Sequence, residues 1–521
     1  MTLSTIPWLE LSIALPLVGA LFVGQLRDNL AASRWCLAFA GATLLCTLMA
    51  WAGVESGFAP EGSAAWAVLP RMFDFPVLVV DHLSAPLLPL VALLHFLTAL
   101  ATARTKMTRF SFSWMLAGAS IRLATYACAT WLLGTLLVLN TVPPYFELVR
   151  RGRSTRIYVL HMGLFVVLLL GGLAAGGASR DAGAVASALL LLAVLVRSGT
   201  VPTHVWVTDM FENCSFGTAL LFVTPITGMY VAVRLVLPVA PDWVLDSIGV
   251  ASLITAVYAG SMAVVQRDTR RFFAFLFLSH ASLVLVGLEL HTPMSLTAAL
   301  SLWMSVALSL SGLGLTLRAL EARYGRLSLT EYRGLYSQSP SLGVCFLLTG
   351  LGSVGFPGTL GFVAAEVLVD GAIEVNPFVG VAVVLASAIN GIAILRAYLL
   401  LFTGARPTAS VSLRITPRER FAVLTLAALI LGGGIVPSLS VHSRHQAAEE
   451  VLQDREHSRP QLSNTEYKHQ KSGNSSDRAP TRNAARSDLP KGEVISKPPP
   501  LWGGSLCEAK RSPTPICREI H

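Results

Sequence analysis

Apolar residues occur along this chain in long runs that are separated by short polar loops. Most of the runs reach the roughly 20 residues that a helix needs to cross a bilayer core of about 30 Å. The pattern predicts an all-α fold, a polytopic transmembrane bundle of about fourteen helices. The predicted spans, approximate at their ends, are 7–26, 34–53, 82–103, 110–127, 129–147, 157–177, 183–200, 216–236, 244–265, 272–290, 295–317, 340–370, 377–403 and 419–439.

The seventh and twelfth spans contain sequence that breaks helices. Proline removes a backbone donor, and glycine releases the backbone dihedrals. Non-helical backbone at membrane depth persists only where protein or a water-filled cavity satisfies it, and paired breaks in two halves of a chain are typical of transport sites built on repeats. We predict two broken helices and an internal repeat, although these residues could also simply end ordinary helices. The residues at the breaks are Pro202, Gly355, Pro357 and Gly358.

Composition agrees with a membrane protein. Hydrophobic residues make up 53% of the chain and charged residues only 13%, which is too little charge to cover a soluble surface. The first span lacks a preceding cationic stretch and an A-x-A cleavage pattern, so we predict a retained helix rather than a signal peptide. The seven cysteines form no C-x-x-C pair and no cluster with histidine. We therefore expect no metal, no other cofactor and no redox centre in this chain, and no catalytic residues of its own.

The formal net charge of +9 is concentrated in the loops, where basic residues set membrane topology. We therefore reject nucleic-acid binding and expect the lipid bilayer as the surroundings. One side of the predicted bundle collects about twenty Lys and Arg residues, whereas the other side has about four. We expect a multi-pass protein of the cell inner membrane, and this asymmetry predicts that both of its termini lie outside the cytoplasm. The four on the poorer side are Arg71, Arg122, Arg180 and Arg234.

From about Ser443 the composition changes to polar, charged and proline residues, which cannot bury a core. We predict that this tail is disordered and contains no long amphipathic helix. The predicted organisation is N-terminal helices and a loop at 1–79, a main transmembrane domain at 80–405, the last membrane helix at 406–442 and the tail at 443–521.

The most informative stretch runs from Arg197 to Leu221. It resembles a signature of the antiporter-like subunits of NADH:quinone oxidoreductases and of multisubunit cation/proton antiporters. In that family a lysine stands five residues before a Pro-x-His-x-Trp-x-x-Asp run, and Arg197 occupies the lysine position here. The matching residues are Pro202, His204, Trp206, Asp209, Ala219, Leu220 and Leu221.

Three further stretches are similar to the family in the same order. Residues 266–280 resemble its loop and span of the form Asp-x-Lys-Arg-x-x-Ala-Tyr-x-x-x-Ser-Gln, residues 355–366 resemble its second broken helix, and residues 395–398 resemble the span that follows. The resemblance covers roughly residues 80 to 405. It implies a proton path made of buried ionisable residues and water, arranged in two linked half-channels.

The resemblance places the candidate pathway at the two breaks, in the central span and on the span after 266. Ionisable residues at membrane depth are costly and usually functional. An arginine holds its charge but does not release its proton in proteins. The family's central span has His-x-x-x-His-x-x-x-Lys, where this chain has serines that bind water but cannot store a proton. The predicted proton-pathway residues are Arg197, His204, His280, Ser301, Ser305, Ser309 and Glu366.

Among these residues Glu366 is the predicted proton-binding group, and it shares one helix face with Asp370 and Glu374. The alternative is that Asp370 and Glu374 are simply solvated at the outer end of the helix. His280 is either a relay or a hydrogen-bonded structural histidine, and His204 is either a relay or a cap of the broken helix. The family glutamate of the fifth span falls near a threonine, with Glu147 as its displaced substitute.

The leading function is a membrane subunit of a proton-translocating complex like NADH:quinone oxidoreductase, with electron transfer elsewhere in that complex. Its partners would be other membrane subunits, and quinone would take part only indirectly. One alternative is the membrane subunit of a two-component inorganic-carbon uptake system. Another is a scaffold that kept the fold and lost conduction, which the arginine and serine replacements favour.

Overall fold

The computed structural model describes residues 6–55, 77–176, 183–288, 292–404 and 415–458. These residues are almost entirely helical and form no strand beyond two isolated β-bridges. The α-helices are α1 Trp8–Gln25, α2 Asn29–Glu55, α3 Leu87–Leu100, α4 Phe112–Ala127, α5 Thr130–Asn140, α6 Val142–Arg150, α7 Arg156–Gly176, α8 Gly183–Ser198, α9 Val205–Asn213, α10 Phe216–Val223, α11 Thr227–Val231, α12 Asp242–Val265, α13 Thr269–Val286, α14 Pro293–Tyr324, α15 Pro340–Val354, α16 Leu360–Val375, α17 Pro377–Phe402, α18 Pro417–Ile435 and α19 Pro437–Ser458.

The all-α membrane bundle predicted from the sequence is confirmed. Within the described part of the chain, nine helical segments are long and apolar enough to cross a membrane, and three shorter apolar helices join them. Several spans consist of consecutive pieces, namely α5 with α6, α8 with α9, α10 with α11, and α15 with α16. The pieces explain why a count of spans from the sequence is only approximate.

The core of the bundle lies around α13, α14 and the span made of α10 and α11, which are almost wholly buried. By contrast, α1, α2, α7 and α17 each bury a narrow stripe and expose apolar side chains on the remaining surface. Such exposure suits helices that face lipid, because the bilayer solvates apolar side chains. Glycines allow close approach in the core: a Cβ at Gly314 of α14 would lie 2.5 Å from Leu220.

The span predicted at 216–236 contains a third interruption that the sequence analysis missed. After α10 the chain turns at Pro225 and Ile226, and Ile226 has φ 44°, which is rare for a β-branched residue. A π-helical segment, Ala232–Val236, follows α11. The freed carbonyl of Pro225 accepts hydrogen bonds from the Tyr126 hydroxyl (3.0 Å) and from Trp303 Nε1 (3.0 Å). The break therefore persists because α4 and α14 satisfy it.

The two ends of the bundle differ in charge. At one end, called here the basic end, the 3₁₀ turn Arg104–Arg109 and the loops after α6, α9 and α14 come together. Buried ion pairs hold this end: Arg270 makes two hydrogen bonds to the Glu321 carboxylate (2.6 and 2.7 Å), and Arg323 does the same with Glu419 (2.5 and 3.0 Å).

At the opposite end Asp81 pairs with Arg234 at 2.5 Å and accepts hydrogen bonds from the Ser84 amide and hydroxyl (2.9 Å each). Burial alone would raise the pKa of Asp81, but the Arg234 guanidinium and the Ser84 donors outweigh burial and hold that pKa below its ordinary value.

The prediction of a disordered tail from Ser443 is wrong at its start, because α19 continues to Ser458. From Arg444 onward the buried residues of α19 recur at intervals of three or four and form one face, made of Arg444, Ala447, Ala448, Val451 and Arg455. The two arginines reach backbone carbonyls that lie before α3 and before α12, as described below. The polar composition concealed this amphipathic helix. Residues 459–521 lie outside the described part of the chain.

The helix α19 lies across the end of the bundle opposite the basic end. Arg444 donates to the carbonyl of His82 (2.9 Å), and Arg455 donates to the carbonyl of Leu237 (3.2 Å) and to the Asp242 carboxylate (2.7 Å). The α19 anchors thus come from two connections that are far apart in the sequence, one before α3 and one before α12.

Candidate functional site

The first predicted break separates α8 from α9, and Pro202 lies in it on the bundle surface. Gly199 ends α8 with φ 73°, a left-handed conformation that favours glycine. A Cβ at Gly199 would lie 2.9 Å from the Val207 side chain. The Val201 amide, which has no helical partner, donates to the Thr255 hydroxyl at 3.0 Å. Neighbouring spans therefore satisfy this broken backbone.

Arg197 is buried in the last turn of α8 and forms no ion pair with a described residue. Its guanidinium lies 4.3 Å from the Phe222 ring centre and 5.7 Å from the Trp206 ring centre. Its Nη2 has no hydrogen-bond partner among the residues that the structure describes. Aromatic faces and the carbonyl end of a helix both attract a cation, so they partly replace a carboxylate here.

A small cavity adjoins Arg197 and is lined also by Ser198, Gly228 and Phe277. Its volume of ≈ 10 Å³ is about the space of one water. The Ser198 hydroxyl is buried and has no partner among the described residues. A Cβ at Gly228 would lie 2.0 Å from the Ser198 Oγ, so only glycine fits opposite it.

A second buried arginine, Arg122 of α4, lies in the same half of the bundle, and its partners were not evident from the sequence. Arg122 donates to the Leu221 carbonyl at 2.7 Å and to the Asn140 side-chain oxygen at 3.3 Å. It also lies 3.3 Å from His95 Nε2. Because His95 Nδ1 lies 2.7 Å from the Val91 carbonyl, Nδ1 carries the proton and Nε2 accepts from Arg122. The three side chains come from three spans, so no local sequence pattern could reveal them.

The second predicted break separates α15 from α16, and Gly355 and Gly358 have φ of 85° and 84° there. Pro357 lies between them on the surface. The backbone turns very tightly: a Cβ at Gly361 would lie 2.4 Å from the Gly352 carbonyl oxygen. Both interruptions expected from glycine and proline in the sequence are therefore present.

His280 of α13 is buried beside the second break. Its Nδ1 lies 2.8 Å from the Leu276 carbonyl, so this nitrogen donates, and its Nε2 has no partner among the described residues. A cavity of ≈ 10 Å³ adjoins the ring and is lined also by Ser353 and Val354 of α15. An unpaired imidazole nitrogen beside space for one water is an arrangement that can exchange a proton.

The predicted serine stripe on α14 is buried. The Ser309 hydroxyl donates to the Ser305 carbonyl, whereas the hydroxyls of Ser301 and Ser305 have no partner among the described residues. Ser305 lies against the second break, since a Cβ at Gly361 would come 2.8 Å from its Oγ. These two hydroxyls can hydrogen-bond water near the second break.

The helix α13 separates the two cavities. Phe277 and Ala281 line the cavity at Arg197, whereas His280 and Leu283 line the cavity at the second break. One helix therefore contacts the cavities at both breaks, from two different faces.

Glu366 is not placed with the buried polar residues. It lies on the exposed face of α16 together with Asp370 and Glu374, while the opposite face, with Ala364 and Leu368, packs inward. The sequence predicted the shared acidic face but could not show which face turns outward. The pathway role of Glu366 therefore requires a route at the bundle surface.

His204 lies at the start of α9 and makes no capping hydrogen bond through its side chain. Its ring packs on Tyr258 and Phe275, with centroid distances of 5.5 and 5.9 Å. This position differs from that of Arg197, whose cavity His204 does not line.

Glu147 of α6 is buried and accepts a hydrogen bond from the Ser215 amide (2.7 Å) and another from the Thr218 hydroxyl. Arg151 lies 3.4 Å from the same carboxylate. Glu147 thus stabilises the start of α10 at the basic end.

Comparison with known proteins gives one family model. Residues 160–390 match the model described as NADH:quinone oxidoreductase/Mrp antiporter, TM. The matched stretch contains both broken helices and all the candidate pathway residues.

Curated relatives with significant similarity share about a quarter of their residues with this chain. Subunit M of NADH-quinone oxidoreductase from Rickettsia bellii is 25% identical over 274 residues, which are 50% of this chain and 55% of the relative. The chain thus spans about half the length of that relative. The NAD(P)H-quinone oxidoreductase chain 4 of a Synechococcus species is 27% identical over 501 residues, which are 86% of this chain and 90% of the relative.

Solved structures share the fold. A chain of respiratory complex I from Thermus thermophilus superposes with a TM-score of 0.76 at 21% identity, covering 86% of this chain and 99% of that one. A chain of the Mrp complex from a Dietzia species gives 0.75 at 20% identity, covering 87% and 100%.

Proposed function

We propose that this chain moves protons across a membrane within a larger complex, as an antiporter-like membrane subunit of the kind described by the family model NADH:quinone oxidoreductase/Mrp antiporter, TM, which residues 160–390 match. Electron transfer would take place in other subunits, and quinone would act on this chain only indirectly. The neighbours in that complex would be other membrane subunits, as in the multisubunit assemblies whose chains share this fold.

One observation carries the proposal: each broken helix adjoins a water-sized cavity that is lined by one buried basic side chain. Arg197 stands at the first break and His280 at the second. Buried basic groups without a carboxylate are costly in a bilayer, so their presence at both breaks favours a functional role over a purely structural one.

The two groups take different roles in the proposal. His280 binds and releases the proton, since an imidazole exchanges protons near neutral pH whereas a guanidinium does not. Arg197 supplies a fixed positive charge. Water held by Ser301, Ser305 and the two cavities would connect Arg197 with His280. The helix α13, which contacts both cavities, would transmit conformational changes from one break to the other. The functional domain would be residues 80–405.

Flux measurements on the complex purified through this chain test the proposal. The complex is reconstituted into vesicles, and proton flux is followed with a pH-sensitive dye. We expect His280→Gln to abolish flux, because the amide retains hydrogen bonding but cannot exchange a proton near neutral pH. His161→Gln is the matched control, since His161 of α7 makes the same bond to the carbonyl four residues before it (2.8 Å) but is half exposed.

Flux that survives His280→Gln would overturn the role of His280. If the parent complex itself conducts no protons under its natural driving reaction, the chain is a scaffold that has kept the fold.

We also propose that the basic end faces the cytoplasm, which follows the rule that basic loops stay inside. This orientation is tested with a variant that lacks its own cysteines. A single cysteine replaces either Arg153 in the basic end or Gln453 in α19, and intact cells that carry the variant are labelled. A membrane-impermeant maleimide should label position 453 from outside and leave position 153 unlabelled until the cells are opened. The reverse pattern would contradict the orientation.

A further inference from the structure

A large cavity opens at the basic end, between the 3₁₀ turn before α4, the loop after α6 and the starts of α10 and α13. Its volume is ≈ 540 Å³, within the usual range of ligand sites. A second cavity of ≈ 370 Å³ shares Arg109, Arg151 and Arg153 with it. The two cavities thus form two lobes of one basic site, named here the basic site.

Carboxylates do not balance the charge of the basic site. Seven basic side chains line the larger lobe, against only Glu212 and Glu321. Glu321 forms ion pairs with Arg270 (2.6 Å) and Lys106 (3.6 Å). Glu212 forms an ion pair with Arg271, which does not line the lobe. Four arginines of the lobe form no ion pair with a described residue: Arg109, Arg153, Arg318 and Arg326.

One of these arginines is buried, and this burial distinguishes the basic site from an ordinary solvated surface. Arg318 is 6% exposed, and it donates to the Thr98 carbonyl and to the Thr102 hydroxyl at 2.9 Å each. Its guanidinium lies 4.8 Å from the Phe110 ring centre. These contacts fix the guanidinium in the wall of the lobe. A buried cation without a carboxylate is costly, and an anion in the lobe would offset that cost.

The smaller lobe lies beside an apolar surface. On α6, Phe146 and Val149 are exposed within one turn of Arg150, and Phe146 stacks on Trp114 of α4 with ring centres 4.7 Å apart. Aromatic side chains next to basic ones mark the depth at which lipid headgroups meet acyl chains. The surroundings therefore favour an anion that carries an apolar tail.

We propose that the basic site binds the phosphate headgroup of an anionic phospholipid, with the acyl chains against the exposed apolar face of α6. Arg109 and Arg153 contact both lobes and would bind the phosphate oxygens, while Arg318 supplies fixed charge from the wall. Arginine suits this role because its planar donors match phosphate geometry.

Lipid titration of the detergent-purified complex tests this proposal. Binding is measured as the increase in melting temperature with phosphatidylglycerol, with phosphatidylcholine and with inorganic phosphate in parallel. We expect stabilisation by phosphatidylglycerol alone. The double variant Arg109→Gln/Arg153→Gln should bind it about thirty-fold more weakly, since each basic residue at a membrane surface contributes about a factor of five.

The matched control is Arg104→Gln/Arg420→Gln, which removes the same charge from exposed arginines of the same end that do not line either lobe. Equal weakening in both double variants, or equal binding of the two lipids, would overturn the proposal. If inorganic phosphate stabilises the complex as strongly as the lipid does, the basic site binds phosphate, but a lipid is rejected as the source of that phosphate. Loss of a co-purifying subunit in the double variant, without any lipid binding by the parent, would show that the site is a protein interface instead.

Discussion

The two broken helices share a design and differ in chemistry. Each has glycine in a left-handed conformation and adjoins a cavity of about one water. At the first break the buried group is Arg197, with Arg122 in the same half, and both keep their charge. At the second break the buried group is His280, beside serine hydroxyls that have no partner. Similar backbone geometry therefore accommodates a guanidinium at one break and an imidazole at the other.

The difference bears on how a proton path could run without the family's lysines. A lysine can hold a charge or release it, so one residue type serves both purposes. Our proposal divides the two purposes between Arg197 and His280. Substitutions at the two breaks should therefore affect stability and flux in different proportions.

The largest expected effect is on the backbone of the second break. Gly361→Ala would force a Cβ to within 2.4 Å of the Gly352 carbonyl oxygen, whereas Gly199→Ala at the first break meets side-chain methyl groups that can move. We expect Gly361→Ala to destabilise the bundle by about 3 kcal/mol or more and Gly199→Ala by roughly half as much. Thermal unfolding in detergent measures both.

Gly358→Ala is the control for backbone strain alone, because φ is 84° there and no atom lies within 4 Å of the added Cβ. It should cost about 1–2 kcal/mol. Comparable losses for Gly358 and Gly361 would show that the second break tolerates an added methyl group.

A smaller effect separates the two buried arginines. Arg122→Met would leave the Leu221 carbonyl and the Asn140 oxygen without their donor, so we expect a loss of about 2–3 kcal/mol. Arg197→Met removes a charge that has no described acceptor, so stability should stay the same or rise. The measurement is again the melting temperature in detergent. An equal loss for both variants would contradict the difference drawn between them.

The smallest expected effect is that of Arg197→Lys on flux. Lysine keeps the positive charge near Phe222 and can also release its proton when buried. We expect flux in reconstituted vesicles to remain or to rise by less than about tenfold. A complete loss of flux would show that the planar guanidinium itself is required. The melting temperature checks that the variant is folded.

The sequence predicted features that depend on local residue types and missed those that depend on distant contacts. Glycine and proline identify both breaks, and the spacing of four places the three serines on one buried face. The break after Thr224 was missed although Pro225 is present, because the apolar residues on either side read as one span. It is held open by Tyr126 and Trp303 from other helices.

The same reason limits the site. From the sequence, Arg122 was counted among the basic residues of one side, and its partners in the structure lie 27, 18 and 99 residues away. For Glu366 the helix period placed three acids on one face, but the packing of Ala364 and Leu368 decides that this face is exposed. In α19, Arg444, Ala448, Val451 and Arg455 are spaced three or four residues apart, which is the spacing of one helix face. It was overlooked because buried arginines do not read as apolar positions.

The position of α19 has a consequence for the order of events during synthesis. Its arginines bind carbonyls before α3 and before α12, and its His445 lies 3.1 Å from the Thr297 hydroxyl of α14. None of these acceptors is in place until the spans that carry them have been inserted and packed. Since α19 leaves the ribosome after all of them, it docks last and joins segments made at quite different times. Its docking therefore marks the moment at which the bundle is complete.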